Sequence, residues 1–144
     1  MKLMSVLVLF SVLFLIVGCT QAGTPASSTA ATESGTDSLS ESVTVTITSA
    51  GFEPNEVTIP VGGTVTWSNT DSVGHWPASA MHPTHTAYPG SGIEKCGTEE
   101  QAGIFDVCKD LAQGESWSFT FTEQGSWNYH DHTVLGKYGK VIVQ

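Results

Sequence analysis

The chain has 144 residues, fourteen of them acidic against five basic, and a net charge of −9. With no basic patch, nucleic acid and anionic phosphate surfaces are excluded as partners, while cations and metal ions are favoured. The acidic residues are scattered, so a solvated surface accounts for part of this balance.

Residues 1–18 read as a lipoprotein signal peptide. Lys2 gives one positive charge, Leu3 to Val17 is apolar apart from two serines, and Gly18 precedes Cys19. A run this short fits a secretory leader and not a spanning helix. Ile16-Val17-Gly18-Cys19 resembles the lipobox of bacterial lipoproteins, which implies cleavage before Cys19 and a lipid on that cysteine. The protein is thus expected outside the cytoplasm, periplasmic or on the cell surface, held to the membrane by its N-terminal lipid. Without Lys2 the charge becomes −10.

Residues 19–41 are rich in Ser, Thr and Ala, with Leu39 the only large apolar side chain. Such a segment cannot bury enough apolar surface to offset its ordering entropy, so a flexible tether is expected, with a span of roughly 25 Å.

Residues 42–144 are enough for one domain with one core and too few for two. Val43–Thr48 alternates apolar with hydroxyl side chains and predicts a strand buried on one face. Glu56–Ile59 and Thr64–Asn69 are strands separated by the turn signal Pro60-Val-Gly-Gly63. Glu115–Thr122 alternates aromatic with hydroxyl, and a turn at Gly125 leads to a strand ending in His130-Asp131-His132, followed by Gly139–Val143. Short strands at this spacing predict an all-β, antiparallel sandwich or barrel.

Asn69 to Gly114 lacks regular alternation and is longer than loops in compact domains usually are, which points to function or to a staple. It holds His75, His82, His85, Cys96 and Cys108. In an exported domain the two cysteines are most simply a disulfide; the competing reading makes one of them a thiolate ligand.

His130 and His132 are spaced i, i+2, so a strand points both to one face, with Trp127 and Tyr129 directed into the core. Two imidazoles fixed on a rigid strand suit a transition-metal ion. Paired surface histidines are the plainer alternative.

The order Phe52-x-Pro54, Val61-x-Gly63-x-Val65-x-Trp67-x-Asn69-x-Asp71, His75, and then Gly125-Ser-Trp-Asn-Tyr129 and Gly139-Lys-Val-Ile-Val143 resembles the cupredoxins, particularly the plastocyanin and amicyanin-like branch. The resemblance spans about Val43 to Val143. It implies a Greek-key β-sandwich, copper as cofactor and His75 as a ligand. The chain departs from the blue-copper pattern in its second half, where Asp131 stands at the Cys position, Val134 at the His position, and no Met follows Met81. Without the thiolate, a pale, tetragonal Cu(II) site is expected. His130-Asp-His132 is also similar to the His-x-His pairs of multicopper oxidases, which bind copper without thiolate; a domain of this size cannot build a whole oxidase. His82 and His85 complete the ligand set, form a second site or orient the other ligands. Met81 is a soft donor or a packing residue, and Trp76 a shield or a core aromatic.

These readings converge on a copper-binding protein that uses His75, His130 and His132 with His82 or His85. It handles copper or transfers single electrons, with a redox or copper-accepting protein as partner. A small copper enzyme acting on dioxygen, superoxide or a nitrogen oxide, and a metal-free interaction module, are the alternatives.

Overall fold

The computed structural model describes residues 39–144; the expected signal peptide, the lipidated Cys19 and most of the tether lie outside the described residues. β1 (Ser42–Thr48) and β4 (Thr64–Asn69) follow the alternation of their sequences. Val45, Ile47, Val65 and Trp67 are fully buried. The hydroxyl residues between them face outward, where Thr64 meets Thr120 at 2.8 Å and Thr66 meets Ser118 at 2.8 Å. Between β3 (Glu56–Ile59) and β4, Gly62 at φ 85° supplies the left-handed residue of the turn, closed by Gly63 N–H donating to Pro60 O at 2.9 Å.

With β2 (Gly51–Glu53), β5 (Pro77–Ser79), β6 (Ser116–Thr120), β7 (Gly125–Asp131) and β8 (Tyr138–Val143), the strands form two four-stranded sheets, ordered β2-β1-β4-β6 and β3-β8-β7-β5. Both are mixed: β1 runs parallel to β4 and β3 parallel to β8. The expected purely antiparallel pairing is corrected here, because the Greek-key path returns each of these strands beside one that is not its sequence neighbour.

The core between the sheets centres on Trp67, whose ring lies 5.2 Å from Phe105 and 5.3 Å each from Trp117 and Tyr129. Phe105 comes from the long connection between β5 and β6, so that segment is fastened into the core and not laid over it. Tyr88 fastens it a second time, its Oη accepting from Thr122 N–H at 3.0 Å. The connection contains short 3₁₀ turns at Ile93–Lys95 and Gln101–Gly103 and the disulfide Cys96–Cys108. The bridge removes the alternative of a thiolate ligand, since both sulfurs are spent on each other.

Candidate metal centre

The alternation of β7 sorts its side chains between two environments. Tyr129 and Asp131 point into the sandwich, whereas Ser126 and Asn128 are exposed on the opposite face and His130 follows them. His130 is nevertheless only 6% exposed. It is covered because β5 pairs beside it, Ala78 opposite His130, and the chain after β5 folds back over that face. The pairing continues one residue further as His132 N–H donates to Trp76 O at 2.8 Å, which sets His132 next to His130.

His82 and His85 arrive on the returning segment. His85 N–H donates to Met81 O at 2.8 Å, which closes a tight turn with His85 in the left-handed region at φ 57°, and Ile93 N–H donates to Thr84 O at 3.0 Å. His85 is fully buried and His82 is exposed. The result brings His82, His85, His130 and His132 together, each offering one ring nitrogen, with all four nitrogens within 4.8 Å of one another. His85 Nε2 lies 2.9 Å from His132 Nδ1.

Two observations make this group suitable for a cation. His130 Nε2 is buried and has no hydrogen-bond partner, a costly state for a polar atom unless something fills it. The imidazoles of His130 and His132 also resist protonation: burial, followed by the neighbouring His85, His82 and His132, lowers His130 to about 4, with Asp106 opposing. Burial and then His85 and His82 lower His132 likewise. Neutral imidazole is the form a metal ion requires.

One acidic residue that sequence reading missed supports the cluster. Asp106 Oδ2 lies 2.5 Å from His85 Nδ1, while its Oδ1 accepts from Trp76 Nε1–H at 2.6 Å and Cys108 N–H at 2.7 Å. A carboxylate only accepts, so His85 carries its proton on Nδ1 and turns the Nε2 lone pair toward the cluster. Trp76 shields the other side, its ring 4.6 Å from that of His132. Asp106 lies in an aperiodic loop, and no local pattern marks it.

The structure does not bring His75 into this group, which corrects the expectation that it is a ligand of the same site as His130 and His132. Asn69 shapes the turn before it, donating to Val73 O at 2.7 Å and Leu111 O at 2.8 Å and accepting from Asp71 N–H at 2.8 Å. His75 is then fully buried on the inner side, Nδ1 2.5 Å from Asp131 Oδ2 and Nε2 3.2 Å from Asp71 Oδ2. Both ring nitrogens face carboxylates, so neither is free for a metal. Burial raises the Asp131 carboxyl, but hydrogen bonds from His75, Trp76 N–H, Val134 N–H and Thr133 outweigh it and leave the group below its usual range. The pair that the resemblance sets at the copper position, His75 and the residue standing for Cys, is thus tied together inside the sandwich. The four-histidine group lies across β7 from it.

Beside His82 and His130 is a hollow of about 530 Å³, bordered also by Met81, Asn128, Leu135 and Tyr138. Met81, Leu135 and Tyr138 are exposed apolar side chains.

Residues 39–144 match the family model of copper binding proteins of the plastocyanin/azurin family. Among solved structures, the chain is similar to a purple cupredoxin from Nitrosopumilus maritimus, at 25% identity and TM-score 0.53 over 71% of this chain and 99% of that one. It is similar to an amicyanin variant in its reduced Cu(I) form at pH 4, at 25% identity and TM-score 0.52 over 72% and 82%. A copper-containing nitrite reductase from Thermus scotoductus SA-01 shares the fold, at 24% identity and TM-score 0.52 over 71% of this chain and 22% of that one.

Proposed function

This chain belongs to the plastocyanin/azurin family of copper-binding proteins, and on that premise we propose that it handles copper outside the cytoplasm through His82, His85, His130 and His132. The observation that carries this reading is the convergence of four ring nitrogens within 4.8 Å, one of them buried without a partner. The donor set fits the ion, since imidazole suits copper and the affinity order for divalent ions favours copper over nickel and zinc. Bound copper supplies one-electron chemistry and Lewis acidity at this position.

The residues themselves favour reversible binding over fast electron transfer. Among the described residues there is no free thiolate, and one ligand, His82, is exposed at the rim, where an arriving or departing ion meets a donor before the more covered three. Lipidation at Cys19 with the tether of residues 19–41 would keep the centre near a membrane while leaving it reach toward a copper-accepting or redox partner.

The test is copper content with electron paramagnetic resonance on the chain loaded with Cu(II). One copper per chain with a nitrogen-coordinated tetragonal signal is expected. Replacing His130→Ala together with His132→Ala should abolish tight binding while leaving the strand content unchanged, and unchanged stoichiometry in that variant overturns the assignment.

The hollow of about 530 Å³ beside His82 and His130 supports a second reading, a small copper enzyme whose substrate, dioxygen, superoxide or a nitrogen oxide, approaches from that side. Turnover of one of these by the copper-loaded chain, lost in the double variant, separates it from copper handling.

A further inference from the structure

The geometry points to Asp106 as the residue that decides which nitrogen of His85 meets the metal and that makes the centre favour Cu(II) over Cu(I). This inference rests on the four-histidine reading above. Asp106 is 1% exposed, and among the described residues its carboxylate is the only one in contact with a ring nitrogen of the cluster. It cannot turn away: Trp76 Nε1–H at 2.6 Å and Cys108 N–H at 2.7 Å hold Oδ1, which leaves Oδ2 for His85. The disulfide ends at the residue whose amide grips this carboxylate, so the loop stapled by Cys96–Cys108 presents Asp106 to the centre.

Two consequences follow from that placement. The first concerns the proton. With a carboxylate at Nδ1, His85 must keep its hydrogen there and leave Nε2 unprotonated. In Asp106→Asn the side-chain oxygen remains committed to Trp76 and Cys108, and the amide NH₂ replaces Oδ2. His85 Nδ1 then becomes an acceptor, and the hydrogen moves to Nε2, where it blocks the metal. The second concerns charge. Four neutral imidazoles leave the full charge of a bound ion uncompensated in a largely buried place, and the penalty is larger for the doubly charged ion. A fixed negative charge one hydrogen bond away offsets more of that penalty for Cu(II) than for Cu(I).

The wild-type chain, free of metal, should show in ¹⁵N NMR a His85 ring protonated on Nδ1, and Asp106→Asn a ring protonated on Nε2. Cu(II) affinity, measured by chelator competition, should fall about 10–100-fold in Asp106→Asn. Cu(I) affinity, measured anaerobically under ascorbate with a chromogenic Cu(I) chelator, should fall by less, so the Cu(II)/Cu(I) preference moves toward Cu(I). Asp106→Glu, which retains a carboxylate, should recover part of the Cu(II) affinity. Wild-type protein with the His85 proton on Nε2 overturns the inference whether or not any variant folds. Copper bound by the wild type with no change of preference in a folded Asp106→Asn overturns it as well, whereas a wild-type chain that binds no copper overturns the four-histidine reading beneath it.

Discussion

At the residue scale, His75 and His130 show how one imidazole is spent on structure and another kept for a ligand. His75 has a carboxylate at each nitrogen, and it and Asp131 are both fully buried. Removing one partner of such a pair strands the other, so His75→Ala should cost about 3 kcal/mol or more in urea denaturation, with copper stoichiometry unchanged. His130 behaves in the opposite way. Its value of about 4 lies below the ordinary 6.5, so as pH falls from 6.5 toward 4 the unfolded chain takes up a proton that the folded chain refuses. The metal-free protein should therefore lose stability across that window, measured as a falling denaturation midpoint. Asp131 extends the loss at lower pH: its carboxyl is held below the usual range, so its contribution is complete above that range and disappears as pH drops through the folded value. The His130-x-His132 pair was legible from spacing because a strand's alternation is local. The pairing of His75 with Asp131 was not, since the two are 56 positions apart.

At the element scale, the long connection between β5 and β6 matters most. Its aperiodic sequence hides two anchors, Tyr88 and Phe105, that pack among the core aromatics, and the Cys96–Cys108 bridge closes the segment that ends beside Asp106. Phe105→Ala should cost about 3–5 kcal/mol, the usual range for emptying a buried aromatic site, and should weaken copper binding through Asp106 and His85. Replacing both cysteines by alanine should lower stability by about 2–4 kcal/mol under the loop-entropy account. In that variant, a Cu(II) affinity that falls with the denaturation midpoint would locate the effect in the loop's hold on Asp106. The strands themselves were readable, with bounds within a residue or two for β1, β3 and β4, because each carries its burial pattern in its own alternation. Parallel neighbours were not, because pairing order is a property of the chain's path.

At the scale of the whole molecule, the centre ties β5, β7 and the covering loop into one unit, so a ligand that binds only the folded state should stabilise all of it. Copper at about a hundred times its dissociation constant should add about 2.7 kcal/mol, visible as a raised melting temperature that reverses on chelation. His82→Ala should reduce this shift least among the four histidines, since His82 is the exposed one. The acidic surface, at −9 overall, should speed capture of the cation at low ionic strength and lose that advantage in salt.

What could be read from the chain was whatever depends on neighbours in sequence: the strand periods, the turn at Pro60–Gly63, the paired imidazoles of β7, the cysteine pair, and a motif order that belongs to a copper-binding family. What only folding decided was which side of β7 each histidine serves. Period-two alternation puts His130 and Asp131 on opposite faces, but it does not say that His75 will come from across the sandwich to meet Asp131, or that His82, His85 and Asp106 will be carried over the other face. Those contacts join residues 21 to 56 positions apart. They form because burying Phe105 and Tyr88 draws the long loop down onto the sheet, and that packing is a property of the assembled core.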